Sequence, residues 1–326
     1  MTAVDILLGI AFFSQTGIGV QGNFFLIYFF SYLFFTRQNL RPIDLIFTQL
    51  ALVNSLMLLS KGFLQGLAAL GLTNLLDDIG CKIVFYLHRV ARGLSLSITC
   101  LLSGFQAIII SPHSPKWIKL KAKVPRFISP SILICWIFHM LQNIIIIEKL
   151  KRSSGYRNTS EIREYGLCSV NVTIAISTSL HAVVFTLPDA VCLTFISFTS
   201  GYKVYLLYKH HQRIHTASVS SRSFPETRAT QMILLLVSTF VIFYLLNSIF
   251  TAYMHSRTPN PWLVHSSALL TSSFPMVSPF MLITSDSKIL RYYNTVHGRK
   301  SCQTEMDSRN TLFPVSGQRE KVTGRP

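Results

Sequence analysis

Long stretches without a single charge constrain this chain more than any other feature. Ile6 to Thr36 carries none, nor do Gly93 to Pro115, Phe127 to Ile147, Ala229 to Ser256 and Thr258 to Ser285. Lys61 alone interrupts the run from Leu45 to Leu76, and Asp189 alone that from Gly166 to Tyr202. A helix needs about 20 apolar residues to cross a bilayer. The pattern predicts an all-α membrane protein, a bundle of seven transmembrane helices at 6–35, 43–70, 81–111, 127–147, 176–208, 229–254 and 262–284. Those seven helices form one unit over 1–285; the polar stretch 286–326 is expected to be a cytoplasmic tail, mostly disordered. The alternation of a membrane β-barrel is absent. Only 13% of the residues are charged, against roughly 25% in soluble domains.

Lys and Arg distribution orients the bundle. The segments 36–44, 111–126, 201–228 and 286–326 hold 20 basic residues, and those on the opposite side hold 7; each side has 6 acidic residues. The first set is therefore cytoplasmic, with the N-terminus outside and the C-terminus inside. This asymmetry accounts for the net charge of +17 without a nucleic-acid partner. The first apolar run follows Asp5 and exceeds a signal-peptide core, so it is expected to act as an uncleaved anchor in a multi-pass plasma-membrane protein.

The external loop 148–175 holds two glycosylation sequons, at Asn158 and, nearer the membrane, Asn171. Of six cysteines, Cys100, Cys135 and Cys192 lie within spans and Cys302 in the tail. Cys81 and Cys168 alone face the oxidising side, where a disulfide between them would tie the loop to the third helix; two free thiols are the alternative.

Several stretches, in this order and spacing, resemble the vomeronasal type-1 receptors, a family of pheromone receptors within the rhodopsin-like seven-helix receptors. They are Leu50-Ala51-Leu52-Val53-Asn54, Leu59-Ser60-Lys61-Gly62, Phe85-Tyr86-Leu87-His88-Arg89-Val90 and Phe105-Gln106-Ala107-Ile108 in the first half. The second half has Leu234-Leu235-Leu236-Val237-Ser238-Thr239-Phe240-Val241 and Phe274-Pro275-Met276-Val277-Ser278-Pro279-Phe280. The wider rhodopsin pattern is altered. Phe105-Gln106-Ala107 stands where Asp-Arg-Tyr is usual, Asn54 replaces the second-helix Asp, and the sixth helix has no proline. The resemblance implies a pheromone-like small-molecule ligand and a heterotrimeric G protein of the inhibitory class. A bitter-taste-type receptor and a membrane transporter are the alternatives.

Charged groups inside spans read as functional. Phe85, His88, Arg89 and Arg92 recur at helical spacing on one face of the third helix. Arg89 lies about 12 Å and Arg92 about 16 Å below Cys81 along the axis. With Asp189 and Tyr253 they form the candidate ligand set. Either an arginine meets a polar or anionic ligand group, or Arg92 pairs internally with Asp189. The candidate G-protein-facing residues are Gln106, Lys116, Lys119, Lys209 and Arg213; the basic loops also suit anionic membrane lipids. No phosphate-binding loop, nucleophile elbow or zinc-protease motif occurs, so no enzyme activity, cofactor or metal is expected.

Overall fold

The computed structural model describes residues 3–36, 41–72, 76–112, 114–147, 162–165, 168–171, 178–217, 224–256, 261–285 and 289. Asn158 and Cys302 lie outside this set. The chain divides into two units, Met1–Ser285 and Asp286–Pro326. The first is built from α1 (Ala3–Phe35), α2 (Pro42–Ala69), α3 (Asp78–Ile110), α4 (Pro115–Ile147), α5 (Thr178–Ala217), α6 (Phe224–Ser256) and α7 (Pro261–Ser285). Seven helices among the described residues are long and apolar enough to cross a membrane.

Helix starts obey local chemistry. Asp77 accepts a hydrogen bond from the Gly80 amide (2.8 Å) and caps α3. Pro42 opens α2, where a proline forfeits no intrahelical bond. Behind it, the Asp44 carboxylate accepts from the Arg41 amide (2.8 Å) and pairs with its guanidinium (3.2 Å).

Three features differ from the sequence reading. Helix α4 begins at Pro115 rather than at 127, and α5 runs on to Ala217. Lysines are good helix formers, so charge marks where a helix leaves the apolar layer and not where it ends. Second, the segment 148–175, expected as a loop, contains an antiparallel hairpin, Ile162–Tyr165 with Cys168–Asn171, in which Tyr165 pairs with Cys168. Third, α2 contains a π-turn at Leu58–Phe63. Such an insertion rotates the remainder of the helix and often marks a functional position; this one contains Lys61.

Helix α3 packs against α2, α4, α5 and α6, and α7 against α1, α2 and α6. The core is apolar, with Leu26, Ile46, Leu50, Leu94, Ile98 and Leu102 fully buried. Glycines at two crossings permit close approach. A Cβ on Gly62 would collide with the Thr16 hydroxyl of α1, and one on Gly93 with the His139 ring of α4.

One proline of α7 is matched by a polar partner. Pro279 has no N–H, so the carbonyl of Pro275, four residues earlier, loses its helical donor. Asn23 of α1 donates to that carbonyl at 2.9 Å. Beside it, Asn54 of α2 donates to the Ser278 hydroxyl at 2.7 Å. The first, second and seventh helices are thus tied together by groups buried away from water.

Candidate functional site

The bundle holds a small cavity of about 30 Å³, room for a water or two, between α2, α3, α6 and α7. Met57, Phe240, Phe243, Leu270 and Phe274 make it apolar, and Arg92, Ser95, Tyr244, Asn247 and Thr271 supply polar groups. Arg92 and Ser95 are three residues apart and so share a face of α3. Asn247 is held in place by the hydroxyls of Ser267 (3.2 Å) and Thr271 (2.7 Å), both on α7.

Arg92 is placed by an aromatic ring. Its guanidinium lies over Tyr244, 5.2 Å from the ring centroid. The Tyr244 hydroxyl in turn donates to the Asp189 carboxylate. Arg92 and Asp189 therefore belong to one cluster, but a phenol on α6 joins them rather than a direct ion pair. Tyr244 was not among the sequence-derived candidates. A tyrosine inside an apolar run was the available signal, because a buried phenol needs a partner.

Arg89 turns toward α4. Its Nε donates to the Asn143 side-chain carbonyl at 3.1 Å, and the guanidinium lies 5.7 Å from the Phe85 ring. Asn143 donates to the His139 carbonyl (2.8 Å), and the His139 ring meets the Ser97 hydroxyl (2.8 Å). His88 meets Ser60 of α2 at 3.4 Å. The Lys61 side chain makes no hydrogen bond or ion pair among the described residues. Asp189 meets Arg92 through Tyr244. Tyr253 is 52% exposed and does not line the cavity.

A second polar cluster lies toward the C-terminal end of α3. Lys203 of α5 is fully buried and donates to Ser103 (3.0 Å) and to the Gln106 carbonyl oxygen (3.2 Å), both on α3. Ser103 also meets Thr199 at 2.8 Å. Gln106, expected to face a G protein, is turned into the bundle and only 5% exposed. Lys116, Lys119 and Lys209 are exposed, and the Arg213 side chain lies outside the described ones. In sequence Lys203 is one of the basic residues of the segment 201–228, and its place near the end of the apolar run gives no sign of what faces it.

Cys81 is disulfide-bonded, whereas Cys100, Cys135 and Cys192 are free. The side chains of Cys168 and Asn171 lie outside the described ones. Among the described residues no group of His, Cys, Asp and Glu is arranged to hold a metal.

A family model described as "Vomeronasal organ pheromone receptor family" matches residues 6–295. Vomeronasal type-1 receptor 1 of Gorilla gorilla gorilla is 43% identical over 310 residues, 94% of this chain and 85% of that protein. Vomeronasal type-1 receptor 3 of Homo sapiens is 42% identical over 92% of this chain and 97% of its own length. The olfactory receptor class A-like protein 1 of Danio rerio is 31% identical over 86% of this chain and 90% of its own. The crystal structure of squid rhodopsin superposes with a TM-score of 0.69 at 16% identity, covering 91% of this chain and 86% of that one; the likeness is one of fold.

Proposed function

Because this chain belongs to the vomeronasal organ pheromone receptor family, we propose that its bundle receives the small-molecule ligand from outside and its inner face engages a heterotrimeric G protein of the inhibitory class. The protein is a G-protein-coupled pheromone receptor, a multi-pass protein of the plasma membrane and not an enzyme. The family match across nearly the whole bundle carries this conclusion and sets aside the bitter-taste and transporter readings.

Of the candidate ligand residues, Arg92 lines the cavity, Asp189 meets its wall through Tyr244, and Phe85, His88, Arg89 and Tyr253 are not among its lining. The exposed Lys116, Lys119 and Lys209, with Arg213, give the inner face a positive field that suits both a G protein and anionic lipids. The charge asymmetry between loops supports an external N-terminus and a cytoplasmic 286–326 tail. Cys168 is the partner we assign to Cys81, since Cys100, Cys135 and Cys192 are free, and Asn158 is the glycan site, with Asn171 a weaker acceptor.

Expression in cells with an adenylyl-cyclase reporter tests the coupling. Agonist should lower cyclic AMP, and pertussis toxin should abolish the effect. A toxin-insensitive response would assign the receptor to another G-protein class.

A further inference from the structure

We infer that Lys203 is a stored charge that biases the inner ends of α3 and α5 toward separation: buried here against Ser103 and Gln106, its ammonium is released toward the cytoplasmic boundary when the bundle opens to its partner.

Burial without an anion comes first. Lys203 stands with Phe12, Phe29 and Phe30 among the largest fully buried side chains. Its ammonium carries three donors and meets two acceptors, the Ser103 hydroxyl (3.0 Å) and the Gln106 carbonyl oxygen (3.2 Å). Both acceptors are neutral. Among the described residues the one ion pair is that of Arg41 with Asp44. Neutral acceptors repay only part of the cost of taking an ammonium out of water.

The neighbouring polar groups are matched no better. Gln106 is 5% exposed, yet its Nε2 has no hydrogen-bond partner, and the hydroxyl of Ser200, one turn before Lys203, has none either. Buried donors are rarely left so. The contact between α3 and α5 is closed but incompletely satisfied, and water admitted by opening would serve every group in it.

The fold gives that relief a direction. Helix α5 packs chiefly on α3, and the Cβ position of Gly201 meets open space. The exposed Lys209 lies six residues further along α5, about 9 Å at the helical rise. A lysine stem covers much of that distance, so a shift of α5 away from α3 lets the ammonium snorkel to the polar boundary. A plain latch has the opposite sign. There the hydrogen bonds of Lys203 hold the helices together, and removing its charge opens them.

This inference rests on the coupling reading, and two readouts keep them apart. Full-length receptor in lipid nanodiscs is treated with N-hydroxysuccinimidyl acetate. Acetylation of Lys203 is followed by peptide mass spectrometry, with the exposed Lys209 as internal standard. Nucleotide exchange on purified inhibitory-class G protein is measured in parallel, without agonist. Gln106→Leu, which removes an acceptor, should raise both Lys203 acetylation and basal exchange about fivefold to tenfold, the worth of one hydrogen bond to a charged group. Gln106→Glu, which supplies a carboxylate, should lower both. Adding Lys203→Met to Gln106→Leu should return exchange to the parent level or below it. Parent-level acetylation in whichever Gln106 variant folds overturns the proposal. So does exchange in the double variant that stays at or above that of Gln106→Leu alone. Acetylation that shifts as expected while exchange stays flat supports the device and counts against inhibitory-class coupling.

Discussion

Tyr244 on α6 donates its hydroxyl to the Asp189 carboxylate on α5 while its ring carries the Arg92 guanidinium of α3 at 5.2 Å from the centroid. One side chain thereby couples three helices. The phenol meets the anion through its polar tip and the cation through its π-face, so both charges are compensated although they do not touch.

Removing that tip should orphan Asp189. Tyr244→Phe keeps the ring under Arg92 but leaves the carboxylate without its donor. We expect a loss of about 1.5–3 kcal/mol, the range for a hydrogen bond to a charged group. Thermal unfolding of detergent-solubilised receptor checks it, and Asp189→Asn in the Tyr244→Phe background should recover part of the loss. An additive double mutant would show that the two residues are not coupled.

Asn23 should matter because of a proline elsewhere. Asn23→Ala leaves the Pro275 carbonyl unpaired and should cost about 1–3 kcal/mol. In a Pro279→Ala background the helix can supply its own donor to that carbonyl. There the same Asn23→Ala change should cost visibly less, measured again by thermal stability. An equal cost in both backgrounds would place the role of Asn23 elsewhere, for instance in its bond to the Gly19 carbonyl (2.7 Å).

Lys203 is a buried cation held by neutral acceptors. Burying an ammonium without an anion costs several kcal/mol after relaxation, more than the roughly 1–3 kcal/mol lost when Gln106 gives up its donor. Lys203→Met, similar in length and uncharged, should therefore raise the melting temperature. A lower one would mean that the Ser103–Gln106 clamp outweighs the charge.

The segment 148–175 gives a covalent test. Non-reducing peptide mapping should recover the Cys81 and Cys168 peptides linked, and Cys168→Ser should lower stability by about 4 kcal/mol for a loop of this length. Recovery of Cys168 as an alkylatable thiol would refute the pairing. In parallel, glycosidase digestion should shift the parent band, and Asn158→Gln should remove most of that shift. Full retention would move the glycan to Asn171.

A collision is expected at Gly93. A methyl group there meets the His139 ring, and overpacking of this kind typically costs about 1–3 kcal/mol. Gly93→Ala should reduce surface expression, whereas Gly201→Ala, with open space around its Cβ position, should not.

The sequence by itself determined the spans and the distribution of charge around them. Uncharged runs of membrane length admit one kind of secondary structure, since every backbone group in lipid must be satisfied within its own helix. Helical spacing was enough to put Phe85, His88, Arg89 and Arg92 on one face of α3. The ends were less legible: the third helix starts behind the Asp77 cap rather than at 81, and α4 and α5 extend where basic residues leave the apolar layer without leaving the helix.

Only the tertiary structure decided what stands opposite each polar group. Asn23 meets a carbonyl 252 positions away in the chain. Tyr244 comes between Arg92 and Asp189, Asn143 receives Arg89, Lys203 reaches Gln106, and among the described residues no partner reaches the Ser95 hydroxyl. Periodicity fixes which residues share a face of one helix, but the rotation of that helix against its neighbours is set by packing between segments distant in sequence. A π-turn in α2 or a glycine at a crossing shifts that rotation by a fraction of a turn. That shift is enough to exchange one partner for another while the sequence pattern stays the same.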